Sequence, residues 1–353
     1  MSWFNRTKKA SLSIDISGAA IKLLELTRTG SGIRVEHFSI ISLPNDFASQ
    51  KKISSHILAE SIKKAIKESG SKLKQAVVAV TEAAIMTKTI NLPASLKDDE
   101  IEEELIMTAD QYLPYSLDDL YFDYEVQSTN KLNPDMVDVL LVASRRENVD
   151  ERIEALSLAG LKASIVDVES YAMKNAFSIL TTTLPDKKDN QTIAIVDIGS
   201  TMTSLTVLFR GEVIHTSSQS FGGKQLTEEI QRQYNISYEN ADLGKKTGNL
   251  PANYIEIILN PFQKSLVQKI QRALQSFTSS STNRTIDRIL LAGGGASMTN
   301  IDQLLESNLN IPVTVANPFI NMSLSQHINL QALYQQAPSL MLTCGLALRG
   351  FDA

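Results

Sequence analysis

At 353 residues, with roughly 150 residues per domain, the chain has room for two or three globular units. Hydrophobic residues at 43% against 21% charged supply ordinary cores, which excludes wholesale disorder. The 34 Lys and Arg nearly cancel the 39 Asp and Glu, leaving −5, so a generally basic nucleic-acid binder is disfavoured and no nucleic acid is expected as a partner.

Cys344 is the single cysteine, so there is no disulfide framework and no thiolate zinc site. His37, His56, His215 and His327 lie far apart and never at metal-ligand spacing on one helix. No run of about 18 apolar residues spans a bilayer. The start from Met1 to Lys9 is basic, but Asp15 in the apolar stretch behind it argues against a signal peptide. The pattern reads as intracellular.

In chain order, Leu12 to Ile16 alternates as a half-buried strand, turns at Ser17-Gly18 and returns through Ile21 to Leu26 as a hairpin. A helix capped at Ser54 or Ser55 runs to Gly70, and Ala76 to Val80 is a buried strand. Residues 82–161 read as a compact insert. It holds a strand from Met86 to Leu92, a helix from Asp99 to Leu113 stopped by Pro114, strands from Tyr121 to Val126 and Val137 to Ala143, and a helix from Asn148 to Ala159. A strand from Ile165 and a helix after Glu169 resume the α/β theme, and Thr181 to Asn190 reads as a linker. The second half opens on the buried strand Thr192 to Val196. A long helix from Asn253 to Phe277, kinked by Pro261, leads to a Ser/Thr loop over Thr278 to Asn283. Ile289 to Ala292 is a strand running into three glycines, with a helix from about Thr299, and a last helix spans Pro338 to Arg349.

Asp15-Ile16-Ser17-Gly18 and Asp197-Ile198-Gly199-Ser200 each sit at a strand end before a turn, one opening each half. Each aspartate alone reads as a turn former; together they suggest a duplication. A tight glycine turn offers converging backbone amides as an anion nest, hydroxyls add donors, and a carboxylate can hold hydrated Mg²⁺. The second hairpin supplies Asp197, Gly199, Ser200, Thr201 and Thr203; the first supplies Asp15, Ser17, Gly18 and Lys22. Two such loops facing each other would clamp a triphosphate, with Asp15 and Asp197 reaching Mg through water. Gly293-Gly294-Gly295 permits close approach of a ligand, and reads equally as a flexible connection. There is no GxxxxGK[ST], GxGxxG or GxSxG.

These hairpins and the Leu-x-Gly-Gly-Gly turn resemble the actin, heat-shock-chaperone and sugar-kinase superfamily. Within it the chain resembles the PilM family of type IV pilus assembly proteins, relatives of the division protein FtsA, over nearly its whole length. The stretches that carry this are Ala109-Asp110-Gln111-Tyr112-Leu113-Pro114-Tyr115, Ala159-Gly160-Leu161 with Val166-Asp167-Val168-Glu169-Ser170, Phe221-Gly222-Gly223-Lys224-Gln225-Leu226-Thr227 and Gly345-Leu346-Ala347-Leu348-Arg349-Gly350-Phe351.

The resemblance implies an α/β, actin-like (ribonuclease H-like) two-lobe ATPase fold with an FtsA-type inserted subdomain. Its parts would be a first lobe over 1–81, the insert over 82–161, a return and linker over 162–189, and a second lobe over 190–353 with a helical subdomain near 223–285. It implies ATP and Mg as cofactors, Lys22 on the β-phosphate side, Gly293, Gly294 and Gly295 at the adenosine, and Gly222, Gly223 and Lys245 near ribose and base. Glu169 takes the place of the glutamate that orients attacking water, and Asp197 is its catalytic companion. The cytoplasmic tail of a PilN-like inner-membrane protein would dock between insert and first lobe. Other pilus platform proteins, motor ATPases and self-association are further expected contacts. The protein would be cytoplasmic and peripheral on the inner membrane, its membrane contact indirect.

The first hairpin departs from the family in reading Ser-Gly for Gly-Ser, followed by Ala19 and Ala20. A lost hydrogen bond to a charged group is worth roughly 1.5–3 kcal/mol, about tenfold in affinity. Asp242 stands where relatives carry Glu. The expected function is therefore an ATP-binding adaptor with slow hydrolysis at most; the alternatives are an FtsA-like division protein and a small-molecule kinase. Trp3 and Phe4 beside Arg6, Lys8 and Lys9 read as a disordered start, with an anionic membrane as the alternative. Tyr112, Tyr115, Tyr121, Phe122 and Tyr124 read as local core, or else as a peptide groove. Glu102-Glu103-Glu104 is expected to complement a helix N-terminus.

Overall fold

The computed structural model describes residues 10–30, 32–44, 54–130, 133–181, 190–281 and 284–352. The basic start and most of the stretch read as a linker lie outside them. In the first lobe, β1 (Ala10–Ile16) and β2 (Ala20–Thr29) form the expected hairpin, in a register that sets Asp15 opposite Lys22. β3 (Gly32–Ser42) extends the meander. Sequence reading missed it because Arg34, Glu36 and His37 interrupt the apolar alternation. After α1 (Ser55–Ser69), Gly70 adopts φ 76°, a left-handed cap that glycine takes without steric cost. The chain then enters β4 (Gln75–Val80), parallel to β1.

The insert is a three-stranded sheet with one helix: β5 (Ile85–Pro93), α2 (Asp98–Tyr112), β6 (Leu120–Thr129) and β7 (Met136–Arg145), with β7 central. Ile101, Leu105 and Ala109 follow helical spacing and pack on Ile90, Leu92 and Leu141. The acids in the first turn of α2 are Asp98, Asp99 and Glu100, and Glu100 takes the Lys97 amide. Glu102-Glu103-Glu104 falls one turn later than the dipole reading requires. α3 (Arg146–Leu158) returns to the first lobe, where Ala155 and Leu156 share a core with Leu58 and Ile62 of α1. β8 (Lys162–Val168) then joins β4 in parallel.

α4 (Glu169–Leu180) leads to the second lobe, built from β9 (Thr192–Ile198), β10 (Thr203–Phe209), β11 (Glu212–Gln219), β12 (Arg288–Ala292) and β13 (Val313–Val315). Its order, β11-β10-β9-β12-β13, repeats the first lobe's β3-β2-β1-β4-β8, each an antiparallel meander of three strands with two parallel strands beyond. β14 (Ser323–Leu324) closes the outer edge of the first sheet against β3. A helical part holds α5 (Gly223–Tyr234), α6 (Tyr238–Thr247) and α7 (Asn260–Ser280).

Where the sequence predicts a single helix kinked at Pro261, a π-helical turn over Ile255–Leu259 ends as α7 begins, with Pro261 in the first turn of α7. α7 also runs past Phe277, because the Thr278 and Ser280 hydroxyls donate back to the Leu274 and Phe277 carbonyls. The triple glycine folds into a 3₁₀ turn over Gly294–Ser297 before α8 (Ile301–Leu309). α9 (Leu330–Gln336) and a further 3₁₀ turn precede α10 (Met341–Arg349).

The lobes meet over α4 and α10. One continuous core joins Val77 and Ala79 of the first sheet, Ala172 and Phe177, Met341 and Leu346, and Ile195 and Leu290 of the second. Cys344 is fully buried in α10, as expected of a small core residue. The helices cross at Gly345, where a Cβ would stand 1.7 Å from the Ala172 carbonyl oxygen. Gly345→Ala should therefore cost about 1–3 kcal/mol in urea unfolding. Gly30→Ala, with nothing within 4 Å of the added carbon, should stay within about 0.5 kcal/mol. Equal effects at both positions would contradict this packing.

Candidate functional site

The duplicated sheets bring the two hairpins tip to tip. A Cβ on Gly18 would lie 3.1 Å from Thr201 Oγ1, so the two turns nearly touch across the lobes. Asp15 sits at the end of β1, 4% exposed, and pairs with Lys22 Nζ at 2.9 Å. Asp197 occupies the equivalent place on β9, with Ser204 opposite it where the first hairpin has Lys22. Gly199 N–H donates to Met202 O at 2.9 Å and closes the second turn.

Two hydroxyls expected in the site hold the turns together. Ser17 donates to its own hairpin's Ala20 carbonyl at 2.9 Å, and Thr203 donates to the Phe221 carbonyl at 2.7 Å. Gly222 and Gly223 lie against the second turn. Gly223 and Lys224 N–H groups donate to the Gly199 and Ser200 carbonyls, and a Cβ on Gly222 would meet Ser200 O at 2.5 Å. Only glycine permits that approach. Lys245 completes this wall, bonding Thr227 Oγ1 at 2.5 Å and Asp242 at 3.0 Å, with the Gly223 carbonyl 3.3 Å away. Burial lowers the Lys245 pKa, against the pull of Asp242. Gly293, at φ 82°, leaves room for Asp197: a Cβ there would stand 2.5 Å from Asp197 Oδ1. Gly295 abuts the Ile198 side chain, whereas Gly294 faces open space.

Charge is concentrated between the hairpins. Burial pushes the Asp197 carboxyl up to about 6, with Lys22 opposing and Asp15 adding to the shift. Glu169, the first residue of α4, is raised further, to about 8, by burial and then by Asp15 and Asp197; the Glu82 amide and Arg152 pull the other way. Burial disfavours the Lys22 ammonium, yet Asp15, Asp197 and Glu169 together hold it above the ordinary lysine value. The site thus sets Lys22 among three carboxyl groups, with the Arg152 guanidinium acting on Glu169 and Asp15 from beside them.

Sequence reasoning missed Arg152 and Glu82. Arg152 reaches in from α3 and is fixed by donating to the Ala79 carbonyl at 2.7 Å and the Asn148 carbonyl at 2.9 Å. Glu82 joins the lobes by accepting from Thr216 Oγ1 at 2.7 Å. No local pattern marks either; both owe their place to the crossing of chain segments.

The sequence profile of the family described as type IV pilus assembly protein PilM matches residues 13–351. The chain belongs to the PilM family. It is similar, at 24% identity and a TM-score of 0.81, to a solved structure described as a PilM-PilN type IV pilus biogenesis complex, over 97% of this chain and 99% of that one. It also resembles the ethanolamine utilization protein EutJ from Carboxydothermus hydrogenoformans, at 15% identity and a TM-score of 0.55, over 96% and 89%. The fold is therefore actin-like, as the duplicated sheets require, and the family's role is type IV pilus assembly. No described helix of this PilM-family chain is long and apolar enough to cross a membrane.

The raised carboxyl gives this family member a pH signature. Folded Glu169 holds its proton up to about 8, while the unfolded chain releases it near the ordinary glutamate value of 4.5, so stability fully present below 4.5 is lost progressively as pH rises to about 8. Glu169→Gln should flatten the fall in Tm between about pH 5 and about pH 8, melting a few degrees above wild type at the upper end, at roughly 2–4 °C per kcal/mol. Parallel Tm profiles would contradict the assignment.

Proposed function

We propose that the chain is an ATP-binding cytoplasmic adaptor of the type IV pilus inner-membrane complex, taking ATP with Mg between its two hairpins and the cytoplasmic tail of a PilN-like protein on its insert. The observation that carries the nucleotide reading is the near-contact of Gly18 and Thr201 above Asp15, Lys22 and Asp197. The donor set fits a nucleotide. Lys22 supplies a point charge for a phosphate oxygen, and the turn at Gly199 supplies backbone amides. Asp15 and Asp197 accept from water on a hard cation. Gly293 leaves the space a Cβ would fill, and Gly294 opens outward for a nucleoside. Mg²⁺ bound there would neutralise phosphate charge and set the position of the triphosphate.

Slow hydrolysis at most fits the same geometry. A carboxyl raised to about 8 carries its proton at neutral pH and is a poor base for activating water. Lys245, Gly222 and Gly223 would border the ribose and base. Calorimetry with ATP and Mg should give saturable binding that Asp197→Ala weakens at least tenfold. Unchanged affinity in the variant would remove Asp197 from the site.

The aromatic run of the insert opens a cleft of about 340 Å³ lined by Glu102, Tyr121, Phe122, Asp123, Tyr124 and Arg146. Tyr121 is 41% exposed, lies under the Arg146 guanidinium at 4.3 Å and reaches Asp150 on α3 at 3.2 Å, at the junction of insert and first lobe. An extended tail could lay an apolar side chain on these rings with its polar groups at the rim, the arrangement that concentrates binding energy in a few aromatic anchors. This is the place proposed for the PilN-like tail, and through it for peripheral attachment to the inner membrane. Tyr121→Ala should weaken binding of a synthetic peptide of that tail by about tenfold or more while leaving ATP affinity unchanged. An unaltered peptide affinity would move the docking site elsewhere.

A further inference from the structure

A cavity lies in the second lobe, on the far side of its sheet from the gap between the hairpins. Val196, Leu205 and Ile270 belong to the core beneath α7, whereas Ile195 and Leu208 belong to the core around α4 and α10. Neighbouring residues of a strand face opposite ways, so Asp197 looks into the gap while Val196 and Leu205 floor the cavity. It encloses about 250 Å³ between α7 and β11, the outer strand of the sheet. Pockets for drug-sized ligands run from about 300 to about 1,000 Å³, so this one suits a small group.

Its walls carry charge of one sign. α7 contributes Lys269, Arg272, Ala273 and Ser276, which the i, i+3, i+4, i+7 spacing sets on one stripe. β11 contributes Ser217 and Gln219, alternate residues that share a face. The whole of α7 holds three cations, Lys264, Lys269 and Arg272, and no acid. On β10 and β11 the single carboxylate is Glu212, at the opposite end of the hairpin, where Lys174 pairs with it. Lys269 lies over the Phe221 ring, 5.0 Å from its centroid, and Phe221 stacks on Phe262. A ring thus positions this ammonium without neutralising it. Among the described residues neither Lys269 nor Arg272 is ion-paired with a carboxylate, and the side chains of Ser217, Gln219 and Ser276 make no hydrogen bond within the fold. Ala273 brings only a methyl to the stripe, which keeps the space open.

We propose that this cavity binds a phosphate monoester group. Such a group carries about 1.5–2 negative charges at neutral pH and three strong acceptor oxygens. Arg272 meets it as a planar fork and Lys269 as a point charge. The hydroxyls of Ser217 and Ser276 and the Gln219 amide supply donors for the remaining lone pairs. A carboxylate, with two oxygens and one charge, would leave a cation and several of these donors unmet. The cavity is separate from the gap proposed for ATP, and its assignment stands whether or not that reading holds.

The test is calorimetry of the full chain with O-phosphoserine as probe, glutamate as the carboxylate control and a short phosphoserine peptide as a third ligand. Saturable binding of phosphoserine is expected, about tenfold or more tighter than glutamate and weakening as salt is raised. The K269A/R272A variant, which removes both charged donors, should bind it about tenfold or more weaker. A273L keeps both charges and fills the space, and should weaken binding as much. K22A, in the gap proposed for ATP, should keep the phosphoserine affinity of the wild type. Tighter binding of the peptide would identify a modified side chain of another protein as the source of the group, and equal binding a small molecule; both support the phosphate assignment. No binding of phosphoserine, equal binding of glutamate, affinity that survives K269A/R272A, or affinity lost in K22A would overturn the proposal.

Discussion

A lysine ammonium enclosed by three carboxyl groups is the constraint around which the two lobes are arranged. Lys22 can remain charged out of bulk water only because Asp15 bonds it and Asp197 and Glu169 stand near it. Those groups come from β1, β9 and α4, so the charge balance of the site depends on both sheets being held in register over the central helices. The glycines enforce that register. Gly293 makes room for Asp197, Gly222 admits the second turn, and Gly345 lets α10 close on α4. An added methyl at any of these would move a backbone segment, and a low-dielectric cluster of opposed charges tolerates little displacement.

Carboxyl groups crowded in this way do not favour the folded state by themselves. Burial raises Asp197 to about 6 and Glu169 to about 8, so at neutral pH the fold keeps on Glu169 a proton that the unfolded chain would release. Such arrangements are found where a ligand supplies compensating charge. The hydroxyls of Ser17 and Thr203 are occupied with turn closure, whereas the Thr201 hydroxyl remains at the gap beside Lys22, the carboxyls and the backbone amides.

Much of this was legible in the sequence because it is local. An aspartate at the end of an apolar strand followed by a glycine turn declares a hairpin, and its recurrence in the second half declares the duplication that the two matching strand orders display. The insert's elements could be read from apolar spacing and from Pro114. What escaped was set by tertiary packing. β3 mixes polar residues into its alternation, β14 is two residues long and exists only because β3 offers an edge, and Thr278 to Ser280 stay helical through back-bonded hydroxyls. Arg152 belongs to the site only because α3 returns from the insert to lie over β4. The glycine triplet was read as a loop before a helix, whereas close contact with Ile198 tightens it into a 3₁₀ turn.

The most direct test is a crystal structure of the chain with a non-hydrolysable ATP analogue and Mg²⁺. The account predicts phosphate density between Gly18 and Thr201, with Lys22 Nζ turned from Asp15 toward a phosphate oxygen and the nucleoside beside Gly294. Phosphates bound elsewhere, or hairpins still closed on each other with the Lys22–Asp15 pair intact at saturating nucleotide, would contradict it.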